Sequence, residues 1–218
     1  ACLTELDGVS VLEKIISHVQ SIEGAKFTFA LHARDVTSYH LDSIANLLVP
    51  NACISIIPEN TMGSACTALL AACELDMNMP LLILSANEIV DHDLGLAVAE
   101  FKSNNLDAGT IVFRSVHPRY SYVKVDQSGM VTEASQQNPI SKIATTGVFW
   151  YAKTSDFIST AKNLIRKNAA TNAKFYLAPV FNELILMNKK VGVYEVNKDK
   201  YIPLKNANQI QQYESGQI

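Results

Sequence analysis

The segment richest in groups that could do chemistry is Met79 to Asp93, Met-Pro-Leu-Leu-Ile-Leu-Ser-Ala-Asn-Glu-Ile-Val-Asp-His-Asp. Leu81 to Leu84 is an apolar run too short for a helix core or a membrane span, and it suits a strand buried on both faces. It stops at Ser85-Ala86-Asn87-Glu88, and Asp91, His92 and Asp93 follow. Oxygen-bearing side chains therefore gather at the carboxyl end of that strand. Ligands of open α/β sheets bind in the crevice outside such strand ends. Carboxylate and amide oxygens in that position are the ligand set for a hard cation such as Mg²⁺. The stretch is the candidate floor of an active site. Taken alone, the same residues are described more simply as a buried strand and a solvated turn.

The elements that must position this strand end can be read outward from it. Upstream, Val9, Val11, Leu12, Ile15, Ile16 and Val19 recur at helical spacing behind Asp7-Gly8, a start signal. Lys26–Leu31 reads as a strand, 40–48 as an amphipathic helix closed by Pro50, and Cys53–Ile57 as a strand. Asn60 or Thr61 can cap a helix over 64–75. Downstream, a helix is expected over 93–102 and a strand over 108–113. Alternating strands and helices imply a parallel sheet with helices on both faces. The second half changes character. Strands 120–125 and 130–133 flank the turn Asp126-Gln127-Ser128-Gly129 and should form a hairpin. Strand 146–151, helix 156–165, a helix 180–187 opened by Pro179, strand 191–196 and a weakly anchored helix 206–213 complete the pattern. The expected fold is a three-layer α/β/α sandwich with a mostly parallel mixed sheet, in a single domain spanning 1–218.

Composition bounds the rest. The chain has 218 residues, 48% hydrophobic and 18% charged, with a net charge of −3. That charge argues against a nucleic-acid surface or a polybasic membrane patch. No apolar run approaches the ~20 residues of a spanning helix, and the start lacks the regions of a signal peptide. Cys2, Cys53, Cys66 and Cys73 form no CxxC pair, which fits a reducing, cytoplasmic setting. Cys66, Phe149 and Trp150 read as core, His117 as structural, His92 as a surface or capping group, and Lys189-Lys190 as a solvated pair at a helix end.

Several blocks, in this order, resemble the sugar-phosphate nucleotidyltransferase family over nearly the whole chain. Residues 3–12 are similar to the segment after that family's Pro-Lys-Pro. Thr61-Met62-Gly63-Ser64-Ala65-Cys66-Thr67-Ala68 resembles its base-contacting glycine and helix start, and Leu82 to Asp91 its metal-bearing strand end. His117 to Val123 resembles its sugar-side loop, and Ile143 to Trp150 the strand beneath the sugar. Phe175 to Ile185 is similar to bacterial members linked to capsule and surface-polysaccharide synthesis. The resemblance implies a nucleotide-diphospho-sugar transferase-like fold and attack of a sugar-1-phosphate on the α-phosphate of a nucleoside triphosphate. Pyrophosphate leaves, and Mg²⁺ and basic groups neutralise charge. It implies Glu59, Gly63 and Ser64 on the nucleotide side and Asn87 and Asp91 as metal ligands. Tyr120, Ser121, Gln137, Asn138, Thr146 and Gly147 fall around the sugar. Expected partners are a nucleoside triphosphate and a sugar or polyol phosphate, with neither nucleic acid nor membrane. A homo-oligomer, or a further domain of a longer chain, is the remaining partner expectation.

The departures from the family touch its chemistry. Its Gly-rich phosphate loop and first strand would precede residue 1, so a fragment of a longer protein, or a family member that discarded the loop, is expected. Asn87 stands where the metal-binding Asp belongs, and Asp91 or Glu88 is the substitute. Gln137-Asn138 stands for Glu-Lys ahead of Pro139, and Pro179 for a second metal-binding Asp. The expectation is a nucleotidyltransferase-type domain of doubtful turnover with no assigned catalytic residue. Its rivals are a non-catalytic nucleotide- or sugar-binding or regulatory domain, and a glycosyltransferase using Asp91-His92-Asp93.

Overall fold

The computed structural model describes residues 2–6 and 8–214. In chain order its elements are β1 (Glu5–Leu6), β2 (Val9–Ser10), α1 (Val11–Ser17), β3 (Thr28–His32), α2 (Ala33–Tyr39), α3 (Leu41–Leu48), β4 (Cys53–Ile57) and α4 (Ser64–Ala72). Then come β5 (Leu81–Leu84), β6 (Glu88–Val90), α5 (Leu94–Ser103), β7 (Ala108–Arg114), β8 (Ser121–Val125), β9 (Val131–Gln136) and β10 (Ile143–Tyr151). The chain closes with α6 (Thr154–Arg166), α7 (Val180–Leu186), β11 (Val191–Glu195), β12 (Tyr201–Pro203) and α8 (Ala207–Glu214).

The strand β10 organises the main sheet. It pairs antiparallel with β7, with β8 at Ala144, and with β5 from Val148 to Tyr151. β11 adds parallel to β7, and β9 adds antiparallel to β8, giving six strands. β5, β7 and β11 thus run one way and β10 runs against them, so the sheet is mixed. The expected parallel order is kept by the directions of these strands rather than by their direct neighbours.

The two helical layers follow from sequence periodicity. On one face Phe157, Ala161 and Leu164 of α6 and Val180, Phe181 and Leu184 of α7 pack with Phe149 and Tyr151. On the other, Leu94, Ala97, Val98 and Phe101 of α5 pack with Ile111 and Trp150, and the Phe101 and Trp150 rings stack with centroids 5.6 Å apart. Together they form the three-layer sandwich.

β3 and β4 pair parallel in a sheet of their own. Among the described residues β5 has a strand on one edge only, where it meets β10. Helix α4 packs on β3 and β4, and its Ala65 and Ala72 share a core with Leu81 and Ile83. Val19, Ile22 and Phe27 share the opposite core with Leu82 and Leu84. Helical or apolar cover lies on both faces here, yet no strand joins β3 to β5 among the described residues.

Local features differ from the sequence expectation, among them the cap of α4, which is Gly63 rather than Asn60 or Thr61. Helix α1 starts at Ser10, whose hydroxyl accepts from Glu13 N (3.2 Å) while the Glu13 carboxylate accepts from Ser10 N (2.9 Å). This capping box, not Asp7-Gly8, sets the start, and Asp7 lies outside the described residues. A separate helix α2 precedes α3, and His40 at φ +52° breaks the two apart. β6 and β12 form a short antiparallel ribbon, Tyr201 opposite Val90 and Pro203 opposite Glu88. This ribbon lays the carboxyl-terminal segment across the end of β5. Among the described residues no helix is long and apolar enough to cross a membrane.

Candidate functional site

The end of β5 is held against β10. Ser85 N donates to Gly147 O (3.1 Å), within the stretch between Thr145 and Phe149 where β10 shifts register against β7. A Cβ on Gly147 would overlap the Glu88 carboxylate and the Ser85 hydroxyl. Glycine here therefore lets a carboxylate lie against the backbone. A cavity of about 10 Å³, room for roughly one water, is lined by Ile15, His18, Leu84, Ser85, Glu88 and Gly147 among others.

Glu88 is the centre of this end. Its side chain is only 6% exposed. The Tyr201 hydroxyl donates to Oε2 at 2.5 Å, and Lys205 Nζ lies 3.0 Å from the same oxygen. A buried carboxylate is tolerated only with such partners. Burial, then Glu88, push the Tyr201 hydroxyl far above its ordinary value, so it stays a donor. Sequence reasoning weighed Glu88 only as a substitute ligand and passed over Tyr201 and Lys205. Their link depends on the β6–β12 ribbon, whose strands of three residues each carry no periodic signal.

Asn87 is half-buried, and its carbonyl accepts from Leu204 N (2.9 Å). Asp91 pairs with Lys200 Nζ at 2.9 Å and with His18 Nε2 at 3.6 Å. The hydrogen bond from Lys200 holds the Asp91 carboxyl below the usual range. Asp93 accepts from Gly95 N (2.9 Å) and caps α5, and His92 Nε2 meets the Tyr194 hydroxyl at 3.0 Å. The residues present do not fit a resident Mg²⁺. Asn87 offers only a neutral amide, Asp91 and Glu88 are already paired with cations, and no group of three or more His, Cys, Asp or Glu side chains able to hold a metal occurs among the described residues.

The sugar-side candidates divide. Tyr120 is buried, edge-on to Phe113 (5.1 Å) and Tyr201 (5.7 Å), and Arg119 donates to its hydroxyl. Tyr201 therefore links Tyr120 to Glu88 and Gly147. Ser121 donates to Gln136 Oε1 (2.6 Å). Gln137, at φ +57°, donates its N–H to Tyr120 O (3.0 Å) and accepts from Asn172 Nδ2 (3.0 Å) through its side chain. Asn138 is exposed beside it. Thr146 is fully buried and donates to Ile111 O (3.0 Å).

The nucleotide-side candidates lie on the β4–α4 connection. Glu59 Oε1 accepts from Arg34 N (3.0 Å), tying that loop to the first turn of α2. Gly63, at φ +115°, is the cap residue of α4. Its turn is clamped by the Phe175 backbone: Phe175 N donates to Met62 O (2.7 Å), and Ala65 N donates to Phe175 O (3.0 Å). A Cβ on Gly63 would overlap the Phe175 carbonyl, so the glycine is required by this close approach. Ser64 is exposed at the first turn of α4. The contacts of Gly63 tie it to Phe175 and those of Glu59 tie it to α2, whereas Asn87, Gly147 and Tyr120 converge through Glu88 and Tyr201.

A larger open depression of about 330 Å³, lined by Pro80, Lys102, Asn105, Leu106, Trp150 and Ala152, sits at the amino end of β5. Its size alone does not make it the site, because the converging polar groups are at the other end of the strand.

No protein-family model and no curated protein matches the sequence. Solved structures match over almost its whole length. A nucleoside-diphosphate-sugar pyrophosphorylase from Vibrio cholerae RC9 superposes with a TM-score of 0.86 at 17% identity, over 98% of this chain and 91% of its own. A UDP-glucose pyrophosphorylase complexed with UDP-glucose gives 0.75 at 12% identity, over 99% and 89%. HddC from Yersinia pseudotuberculosis gives 0.65 at 13%, over 99% and 89%. The chain thus has the nucleotide-diphospho-sugar transferase-like fold that the resemblance implied.

Proposed function

We propose that this chain is a nucleotidyltransferase-type domain that binds a nucleoside triphosphate and a sugar or polyol phosphate at the carboxyl end of β5. Its place is nucleotide-sugar synthesis for surface polysaccharides, in the cytoplasm. The observation that carries the reading is the convergence of Asn87, Glu88, Gly147 and Tyr120 at one strand end, in a fold shared over 98% of the chain with a nucleotide-sugar pyrophosphorylase. In the reaction class, an oxygen of the sugar phosphate attacks the α-phosphorus. The new P–O bond forms as the α–β bridging P–O bond breaks, and pyrophosphate carries away the charge. Such transfer depends on positioning and charge neutralisation. Asn87, Gln137 and Asn138 bring no charge to the positions where the resemblance expects it, so turnover is slow.

A second reading is a binding or regulatory domain that keeps the crevice without the chemistry. It is favoured by polar groups spent internally: Asp91 on Lys200 and His18, and Gln137 on Asn172. Asp93 serves as the α5 cap, which weighs against an Asp-x-Asp glycosyltransferase.

The test mixes the chain with each nucleoside triphosphate and a panel of sugar-1-phosphates and measures pyrophosphate. Release above the no-protein rate supports the transferase. Saturable binding by calorimetry without release moves the assignment to the binding domain, and absence of both overturns both readings.

A further inference from the structure

The two carboxylates closest to the end of β5, Glu88 and Asp91, each already have a cation. Glu88 has Lys205 at 3.0 Å, and Asp91 has Lys200 at 2.9 Å. Lys205 is brought there by the chain itself, because Leu204 N donates to Asn87 O (2.9 Å) at the end of the β6–β12 ribbon. The Lys205 ammonium lies on Glu88, the residue next to the expected metal ligand Asn87 in the chain, and through Glu88 it neighbours Gly147, the expected floor under the sugar.

We propose that the Lys205 ammonium stands in place of a divalent metal, so that phosphate groups bind at the end of β5 without a metal ion. The proposal rests on the nucleotide reading above and gives it a specific chemistry. An ammonium carries three donors, and Glu88 accepts from one. The Lys205 side chain is 43% exposed, so a phosphate oxygen can approach it from solvent. A Mg²⁺ ion entering here would have to displace that ammonium from a buried carboxylate and then coordinate a neutral amide, losing charge attraction at both ligands. The Tyr201 hydroxyl fills the next acceptor position on Glu88 and closes it further to a metal. The cation has thus moved from a soluble ion to a side chain held by the carboxyl-terminal ribbon.

The test has two arms on the whole chain. In the first, Mn²⁺ is titrated alone and followed by electron paramagnetic resonance. The wild-type chain should show no saturable binding up to about 1 mM, a weak-site limit for carboxylate ligands. The pair Asn87→Asp with Lys205→Gln, which restores one charge and removes the resident one, should gain saturable binding. In the second, uridine triphosphate and inorganic pyrophosphate are titrated by calorimetry in excess MgCl₂ and in excess EDTA. Affinity should be the same in both buffers, and Lys205→Gln should weaken it about tenfold, the loss expected for one charged hydrogen bond. Lys205→Arg keeps the cation and should keep the affinity, and it shows whether a loss in Lys205→Gln reflects unfolding. Saturable Mn²⁺ binding by the wild type that Asn87→Ala abolishes overturns the proposal, as does nucleotide binding that vanishes on chelation. Absence of nucleotide binding in either buffer overturns the functional reading, and the Mn²⁺ arm still decides the replacement of the metal.

Discussion

At the scale of single residues, two glycines let the backbone come close to another group. Gly63 meets the Phe175 backbone and Gly147 meets Glu88. Gly63→Ala adds a Cβ into a backbone carbonyl at φ +115°, and neither neighbour is a flexible side chain. The expected outcome is destabilisation of about 1–3 kcal/mol or more, read as a lower urea midpoint. A variant as stable as wild type would show that the clamp on this turn is loose. His18 offers a pH readout. Burial pushes its pKa below the ordinary value of 6.5, outweighing the pull of Asp91. Above that pH the ring is neutral in both folded and unfolded chains. As pH falls from 6.5 toward the lower folded value, the unfolded chain takes the proton first and stability drops. His18→Gln should flatten the melting temperature between about pH 7 and about pH 5, and an unchanged slope would contradict the burial. The glycine at 63 was legible in the sequence as a special position, but its structural partner was not. Phe175 lies more than a hundred residues away, and no local spacing announces that contact.

At the scale of elements, strong periodicity was readable and short ribbons were not. β4 and β5 fall on the expected residues, and α5 and α7 within a residue or two, because each is a continuous apolar run or an amphipathic stretch with a stop signal. β6 and β12 were missed because three-residue strands gain their stability from tertiary pairing, and with them went Tyr201 and Lys205. One element-level device is the side chain of Asn182 on α7. Its Oδ1 accepts from Ala134 N (2.8 Å) and its Nδ2 donates to Ala134 O (2.9 Å), so the amide pairs with β9 as a neighbouring strand would. Asn182→Asp keeps the size and loses the donor. It should cost about 1–3 kcal/mol, the penalty of an unsatisfied buried group. A urea titration showing a change under ~0.5 kcal/mol, the range of ordinary surface substitutions, would mean that β9 does not need this partner.

At the scale of the whole molecule, the sandwich has an unequal centre. β7 and β10 are buried almost throughout, whereas the apolar residues Leu81 to Leu84 of β5 and most of β3 are only half-buried. Each of those two strands pairs on one edge alone among the described residues, and His32 Nδ1 at the end of β3 is buried without a hydrogen-bond partner there. Unpaired strand edges open easily. Native-state hydrogen exchange should therefore find the outward amides of 28–32 and 81–84 exchanging on the order of 100-fold faster than those of 110–113 and 148–151. Equal protection would require an edge partner for β3 and β5. The layered class was legible from the alternation of apolar runs and helices. The antiparallel entry of β10 was not, since strand direction depends on how the chain returns to the sheet.

The central proposal is that a nucleotide binds at the carboxyl end of β5 by the group around Glu88 and reaches the turn at Gly63, as the resemblance implies. The most direct measurement is the hydrogen-exchange footprint of the chain with and without saturating uridine triphosphate, repeated for the other nucleoside triphosphates. The account predicts slowed exchange in 61–67, 85–91 and 146–148 with at least one of them. Protection confined to the depression around Lys102, Asn105 and Trp150, or no protection with any nucleotide, would contradict it.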